Sequence, residues 1–447
     1  MAQLTSNTNT MWVIVAALLV MFMQAGFAFL EIGFSRQKNA GTVVAKILTN
    51  FSIAAIAYWA CGFAFAFGNG KIIGDTGFFL RPYGGNGTEY GIMSFSDASV
   101  YSKFFFQFVF AAVSLAIVWG TTLERIKFRV YIVYGLIFSA VIYPIGSHWV
   151  FGGGWLQTSV KMQDFAGSTA VHLIGATGAL AALLHLGARR GKYTAEGQPR
   201  AIPGHSMPLF GLGVLILWLG WFGFNPGSTL GLADNRFAEV VVVTNLAAAA
   251  GVLTALGTMW LKTKTFDIGM AGNGAIAALV GITAGSGYVK PWAGVVIGAV
   301  AGVIVVIGVL AIDKKLDDPV GALSAHGLAG IWGTIACGLF THPDLAAYNT
   351  VGDGGLVYTG DFNQLGRQAL GVVVVFAFVF ILSWLVFYVI KKTIGIRVDA
   401  QEEEDGLDIS EHGMYGYPEA FIPAAELVGY GGGPNRTVPP ATIPSEV

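Results

Sequence analysis

Long apolar segments separated by short polar loops run through most of the chain. Each segment is close to the roughly 20 residues that an α-helix needs to cross the hydrocarbon core of a bilayer. Glycine and proline interrupt several of them, so their ends are defined only to within a few residues. The pattern predicts an all-α polytopic membrane protein with eleven transmembrane helices. These begin near Met11, Thr42, Val100, Val130, Asp164, Met207, Phe237, Ile268, Trp292, Val320 and Gln368.

The composition agrees with a location in the lipid bilayer. Hydrophobic residues make up 54% of the 447 residues and charged residues 11%, whereas a soluble chain carries about 25% charge. The 62 glycines fit close contact between helices in lipid. A net charge of −1 gives no reason to expect a nucleic-acid partner. Cys61 and Cys337 lie in apolar segments, so we expect buried thiols and no disulfide, metal site or cofactor.

Lysine and arginine are distributed unevenly between alternate loops. The positive-inside rule assigns the richer set to the cytoplasm, which predicts an N-terminus outside the cell membrane and a C-terminus inside. On this interpretation Arg189 and Arg190 are ordinary cytoplasmic anchors. The richer set consists of Arg36, Lys38, Arg125, Lys127, Arg129, Arg189, Arg190, Lys192, Arg200, Lys262, Lys264, Lys314, Lys315, Lys391, Lys392 and Arg397.

Two nine-residue stretches share the pattern Asp-x-x-Gly-x-x-x-x-His, and each opens an apolar segment. One runs from Asp164 to His172 and the other from Asp318 to His326. In the predicted orientation the first segment starts outside and the second inside, so the two run antiparallel. We therefore expect an inverted repeat of five helices plus five, with one additional helix.

This repeat sets the expected domain boundaries. Residues 1–397 form the transmembrane domain, with repeats over roughly 11–188 and 207–341 and the eleventh helix over roughly 368–395. Residues 398–447 form a cytoplasmic tail without the features of a catalytic domain. The tail is rich in glycine and proline over residues 429–444, and we expect that stretch to be disordered.

The two histidines are expected to meet near the middle of the membrane. Eight residues of helix span about 12 Å, close to half of the hydrocarbon thickness. One buried histidine could simply bond a neighbouring helix, but His172 and His326 form a symmetric pair, which favours a shared function. Asp318 is expected to be a structural helix cap. Asp164 either caps alone or also attracts a cation from the outer side. Gly167 and Gly321 are expected to permit close helix packing.

Several motifs resemble those of the ammonium transporter family (Amt/Mep/Rh), and most closely a prokaryotic Amt-type transporter. The resemblance runs in order from about Met11 to Tyr417. The motifs are Phe106-Gln107-Phe108-Val109-Phe110-Ala111-Ala112, Asp164-Phe165-Ala166-Gly167-Ser168 continuing through His172 to Gly187-Ala188-Arg189, Trp221-Phe222-Gly223-Phe224-Asn225-Pro226-Gly227-Ser228, the segment around His326, and Gly406-Leu407-Asp408-Ile409-Ser410-Glu411-His412-Gly413 in the tail.

The resemblance implies a homotrimer in which each subunit has its own pore. It implies that Phe110 and Phe224 are gate rings, that Ser228 lies at an outer ammonium site, and that Asp164 supports this site from behind. His172 and His326 would be twin histidines that line the pore and relay protons. Methylammonium would serve as a substrate analogue, and a trimeric PII-type signalling protein would block the pore at the cytoplasmic face.

The chemistry of ammonium fits such a pore. Aromatic faces attract the cation, with a contact worth up to about 2 kcal/mol when desolvated, and a dry pore rejects bare ions because their desolvation is costly. Ammonia is neutral, and neutral imidazoles can accept and return a proton. The expected mechanism is recruitment of ammonium, deprotonation near the gate, and passage of ammonia along the histidines, with or without the proton.

Two further features concern the ends of this path. Many family members carry tryptophan where this chain has Phe151, next to a run of three glycines. Phenylalanine is a weaker cation partner than tryptophan. Phe151 either forms a wall of the outer site or merely packs against its neighbours. Trp149 and Trp155 lie nearby. Glu31 and Lys46 lie at equal depth on adjacent helices, which predicts an ion pair; a role at the inner pore mouth is the alternative.

Three classes of function are compatible with these features to different degrees. A transmembrane ammonium transporter or channel fits best. An ammonium sensor of the same fold is the alternative, which the tail does not favour because it lacks the features of an output domain. A membrane enzyme fits least, because the histidines have no nucleophile or carboxylate within the same apolar stretch.

Overall fold

The computed structural model describes residues 2–81, 88–232 and 234–422. Helices provide nearly all the regular structure of these residues, and extended backbone pairs only at two isolated bridges. The all-α prediction is confirmed. Residues 423–447, which include the stretch expected to be disordered, lie outside the described residues.

Eleven apolar helices form the body of the protein. Ten of them are long and apolar enough to cross a membrane, while the eighth is shorter, at 16 residues. The predicted count of eleven crossings therefore stays a prediction. The helices are α1 (Ala2–Phe34), α2 (Gln37–Phe67), α3 (Val100–Gly120), α4 (Phe128–Val160), α5 (Ser168–Leu186), α6 (Met207–Gly227), α7 (Arg236–Thr263), α8 (Ile268–Thr283), α9 (Pro291–Ile312), α10 (Leu323–Phe340) and α11 (Asn363–Thr393).

Hydrogen bonds between loops sort the helix ends into two faces. Near the start of α3, Ser96 Oγ donates to Leu230 O after α6, at 2.5 Å. At the opposite end of α1, the backbone N–H of His205 donates to Ser35 O at 3.0 Å. We call these the N-terminal face and the C-terminal face. α5 starts at the first and α10 at the second, so these two helices run antiparallel, as predicted; the repeat of five helices plus five stays a prediction.

Glycines allow the first helices of the two repeats, α1 and α6, to lie unusually close together. A Cβ atom on Gly213 would lie 2.4 Å from the backbone nitrogen of Leu30, and one on Gly33 would lie 2.5 Å from that of Phe210. Side chains at these positions would force the helices apart. The high glycine content thus reflects helix contact, as the composition indicates.

A buried charge cluster ties the loops of the C-terminal face together. Arg189 donates to both carboxylate oxygens of Asp317 at 2.9 Å and also pairs with Glu124. Burial alone would raise the pKa of Asp317, but the hydrogen bonds of Arg189 and the charges of Arg125 and Arg189 lower it to about 2. Arg189 is only 5% exposed, so its interpretation as a simple surface anchor was wrong; Arg190, whose side chain is 53% exposed, fits that interpretation.

The first part of the tail packs on the C-terminal face. It forms two short helices, α12 (Ala400–Asp405) and α13 (Leu407–His412). The carboxylate of Asp408 accepts the backbone N–H groups of Gly41 at 2.8 Å and Thr42 at 2.7 Å. These N–H groups belong to the first turn of the α2 helix proper and have no partner within the helix. The tail therefore caps α2 directly.

Candidate conduction pathway

A cavity of about 590 Å³ opens at the N-terminal face. Four residues that the sequence assigns to the outer site line it: Phe110, Phe151, Asp164 and Ser228. The Ser228 hydroxyl donates to Phe224 O at 2.8 Å, so its lone pairs remain available to a donor in the cavity. The cavity can therefore offer a cation both aromatic faces and an acceptor oxygen.

Phe151 contributes an aromatic ring to the wall of this cavity. Its ring stacks on that of Phe67 with centroids 5.9 Å apart and an interplanar angle of 12°. Trp149 is not among the described residues that line the cavity; its indole donates to Ile72 O, and its ring lies 4.5 Å from that of Phe378. Phe151 thus has the position expected of an outer-site ring.

Two stacked rings lie below the cavity. The centroids of Phe110 and Phe224 are 3.9 Å apart with an interplanar angle of 17°. Both side chains are fully or almost fully buried. At this separation the rings leave no room between them for an ion, so any particle that passes must displace at least one ring.

The two histidines lie beyond the ring pair. The ring of His172 is 5.5 Å from that of Phe224, and its Nδ1 lies 3.2 Å from Nδ1 of His326. Since one nitrogen must donate and the other accept, the pair holds a single shared proton in this contact. Nε2 of His172 is buried and has no hydrogen-bond partner among the described residues.

The same backbone arrangement positions both histidines. Each lies in a π-helical turn that opens its helix, Ser168–Leu173 for α5 and Leu323–Leu328 for α10. Such turns are rare and occur frequently at functional sites. The glycines before them, Gly167 and Gly321, have φ values of +117° and +75°, a region that favours glycine. Both glycines therefore supply this backbone conformation. Gly321 also permits close helix packing, as predicted, because a Cβ atom there would lie 3.0 Å from Asn273 of α8 and from Val309 of α9, whereas a Cβ atom on Gly167 would meet Val171 of its own helix.

Aspartate carboxylates accept hydrogen bonds from backbone N–H groups at the start of both π-helical turns. Each oxygen of Asp164 accepts two backbone N–H groups, from Gly167 and Ser168 and from Thr169 and Ala170, at 2.8–3.0 Å. Asp318 accepts from the N–H groups of residues 321 and 323 at 3.1 and 2.7 Å. Both aspartates are therefore caps. Asp164 also lines the outer cavity, so the interpretation that it attracts a cation in addition to capping stays a prediction.

A second, much smaller cavity lies on the far side of His326. Its volume is about 20 Å³, which is room for about one water-sized molecule. Phe27, with its ring 6.4 Å from that of His326, forms one wall, and Glu31 forms another. Glu31 also contacts Lys46 as an ion pair, which confirms that prediction.

Sequence reasoning missed two contributors to this path. Gln107 lines the outer cavity, and its side-chain oxygen is buried without a hydrogen-bond partner among the described residues. The indole of Trp221 stacks on His172 with centroids 5.2 Å apart at 14°, and its N–H donates to Thr283. Both lie inside motifs quoted above; the isolated polar residue in a run of phenylalanines was the available signal for Gln107.

The fold defines a class of protein: a multi-pass α-helical membrane protein, whose core places two phenylalanine rings and two histidines between an outer and an inner cavity. The chain belongs to the ammonium transporter family, since the model described as Ammonium Transporter Family matches residues 11–417. It is 46% identical over 430 residues to the ammonium transporter Amt2 of Archaeoglobus fulgidus, a match that covers 93% of this chain and 89% of that protein.

Solved structures give the same result. A sensor Amt protein matches with a TM-score of 0.84 and 36% identity, covering 92% of this chain and 100% of that one. Mep2 of Candida albicans matches with a TM-score of 0.80 and 28% identity, covering 92% and 90% of the two chains. The family resemblance seen in the sequence is confirmed.

Proposed function

We propose that this protein transports ammonium across the cell membrane and does not catalyse a chemical conversion of it. The observation that carries the proposal is the order of the path: an open cavity, the Phe110–Phe224 pair, the His172–His326 pair, and a small inner cavity. Each step restricts a different property of the substrate. Together they fit a molecule that enters as a cation and passes as a neutral species.

Recognition would occur in the outer cavity. Phe110 and Phe151 offer faces to a cation, and the oxygens of Ser228 and Gln107 can accept its hydrogen bonds. The buried charge of Asp164 biases the cavity towards cations from behind its wall. Potassium has the same charge and a similar size, but it donates no hydrogen bonds and cannot lose a proton, so it cannot pass as a neutral species.

Conduction would require the loss of a proton. A bare ion pays a large desolvation cost between the buried rings, whereas ammonia does not. The imidazoles of His172 and His326 share one proton and can accept another from the outer side while releasing one to the inner side. We propose that ammonium is deprotonated at the ring pair and that ammonia then crosses along the histidines.

Orientation and domain boundaries follow from the two faces. We propose that the N-terminal face is extracellular and the C-terminal face, with its arginine-rich loops and docked tail, is cytoplasmic. Residues 1–397 would form the transmembrane domain and residues 398–447 the cytoplasmic tail.

An exposed polar residue on α7 supports a contact between subunits of the proposed homotrimer. Asn245 lies near the middle of α7, and its side chain is exposed. An amide facing hydrocarbon is unfavourable, and a second copy of the chain would cover it. We propose that α7 contributes to the subunit interface.

Replacing Phe151 by tryptophan is expected to strengthen ammonium recognition. The indole face is the better cation partner, and the gain should be about 0.5–1 kcal/mol at a partly hydrated site, a few-fold in half-saturation concentration. The maximal rate should change less, because the ring acts before the gate. Phe151→Leu, with similar bulk and no ring face, should shift the half-saturation of methylammonium uptake in the opposite direction. Values that stay constant in both variants would show that Phe151 only packs.

Truncation after Arg397 is expected to abolish regulation by a PII-type protein. It removes Asp408 and leaves the first N–H groups of α2 without their acceptor. Truncation from Gly429 onward keeps the docked segment and is the matched control, which should behave like the full chain. A pull-down with a PII-type protein measures the effect; binding retained after the longer truncation would assign the interaction to the transmembrane loops.

A sensor function is the second candidate, because one matched structure is that of a sensor Amt protein. Uptake of labelled methylammonium into proteoliposomes of the purified chain separates the two. A transporter accelerates uptake over protein-free liposomes. Saturable binding without uptake would overturn transport and favour the sensor.

A further inference from the structure

Glu31 and Lys46 form a charged pair that lies within the membrane-spanning helices. Glu31 is 1% exposed and Lys46 is fully buried, and the ammonium nitrogen of Lys46 contacts the Glu31 carboxylate. Buried ion pairs generally contribute little net stability, because the desolvation cost offsets the attraction. Ionisable residues at such depth mark ion or proton pathways more often than structural sites.

Glu31 lies at the inner end of the proposed conduction path. It lines the inner cavity together with His326 and Asn273. The rest of that wall is apolar and comes from α1, α3, α6, α8 and the start of α10. The titratable groups that face Glu31 are therefore His326 across the cavity and Lys46 beside it. A molecule leaving the histidines meets Glu31 as the next charged group.

The other side of Lys46 leads towards the C-terminal face. On that side Lys46 borders a closely packed gap of almost no volume, whose lining includes Ser35, Asn39, Thr42 and Glu124. Glu124 in turn pairs with arginines of the charge cluster. The ion pair thus lies between the inner cavity and the charge cluster of the C-terminal face.

We propose that the inner cavity is a second ammonium site, at which Glu31 returns the proton to ammonia. This rests on the proposed transport function and commits it to net movement of charge. His326, protonated through His172, gives its proton to the Glu31 carboxylate, directly or through one water of the cavity. Ammonia arriving in the cavity then takes this proton: a nitrogen–hydrogen bond forms, the oxygen–hydrogen bond of the Glu31 carboxylic acid breaks, and the ionised carboxylate is restored.

Lys46 limits the time for which Glu31 keeps the proton. While Glu31 carries the proton, Lys46 is a buried charge without its counter-ion, which is an unfavourable state. Transfer of the proton to ammonia restores the pair. The positive charge of Lys46 then weakens the hold of Glu31 on the new ammonium ion, so that the cation leaves towards the C-terminal face.

The test uses a variant that removes both charges together, Glu31→Gln with Lys46→Met, because removal of one partner alone would leave an unpaired buried charge. Ammonium-evoked current and methylammonium uptake are measured on the same proteoliposomes. We expect the current to fall by about 100-fold, the scale of a lost proton-transfer group. The half-saturation concentration should not change, because the outer cavity is intact.

A matched control removes an ion pair on the same face but away from the path. Lys192 pairs with Asp313 at 2.6 Å, and Lys192→Met with Asp313→Asn should leave the current at the wild-type level. Should the Glu31–Lys46 variant fail to fold, Glu31→Asp decides instead. It keeps the charge but withdraws the carboxylate by one methylene, and it should lower the maximal current and enlarge its solvent isotope effect.

The outcomes separate this inference from the function on which it rests. Wild-type current in the folded double variant, or in Glu31→Asp, would show that the pair is only structural. Uptake without current in the wild-type protein would also overturn the second site, while leaving transport intact. If the wild-type protein gave neither uptake nor current, transport itself would be wrong.

Discussion

Replacing His172 and His326 together by alanine is expected to abolish selective ammonium flux while the protein still folds. The two rings are the only described groups between the gate rings and the inner cavity that can accept a proton from the substrate and return it. Their loss should lower ammonium flux by at least about 100-fold, as for other positioned acid–base groups. The space left by two imidazoles should also admit water, so exclusion of potassium should weaken.

His185 provides a matched control for this pair. It lies on α5 like His172, but its ring packs on Trp384, with centroids 4.1 Å apart, away from the path. His185→Ala should therefore transport normally. Gel filtration and thermal unfolding of all variants would establish that they fold. Unchanged flux with unchanged potassium exclusion in the folded double variant would exclude the proton-relay interpretation.

Asp164→Asn is expected to impair both the cap of α5 and the outer site. Asparagine caps helices nearly as well as aspartate in general, which would make this a mild change. Here both oxygens of Asp164 accept two N–H groups each. In asparagine an NH₂ group replaces one of these oxygens and would face backbone N–H donors. The buried donors would be left unsatisfied, at a cost of about 1–3 kcal/mol. The maximal rate should fall, and the half-saturation concentration should rise because the charge is gone.

Asp318→Asn isolates the capping contribution. Asp318 also uses both oxygens on its π-helical turn, but it lies at the C-terminal face, away from the outer cavity. Its replacement should lower the maximal rate of methylammonium uptake without raising the half-saturation concentration. If Asp164→Asn gave the same profile as Asp318→Asn, Asp164 would be a cap alone.

The fold could be predicted to this extent because the length of an apolar segment is a strong signal for a membrane-spanning helix. The positions of α3, α6 and α11 depend on apolar segments bounded by polar residues, and the antiparallel repeat depends on two spaced motifs. The boundaries are less exact: α5 begins at Ser168, four residues after Asp164, because the capping segment precedes the helix. The π-helical turns could not be predicted, since one extra residue shifts the apolar face, and this shift is not visible in helices that are apolar on nearly every side.

Site residues could be predicted only where their side chains are unusual for an apolar segment. Histidines in apolar segments and a repeated aspartate are conspicuous, so His172, His326 and Asp164 were identifiable. The sequence does not show so plainly which residues a buried side chain contacts. The sequence indicates that Arg189 is a surface anchor, but its side chain pairs with Asp317. It also indicates that Glu31 belongs to a structural ion pair, but Glu31 lines the cavity beyond His326 as well. Such contacts join residues that are more than 100 positions apart.

The central claim is that the protein recognises ammonium as a cation but passes it only through a dry pore. The most direct measurement is the initial rate of labelled methylammonium uptake by wild-type proteoliposomes in equal excesses of ammonium or potassium, with rubidium uptake measured in parallel. The account predicts that ammonium suppresses methylammonium uptake, that potassium does not, and that rubidium stays outside. Equal suppression by both cations, or entry of rubidium, would contradict it.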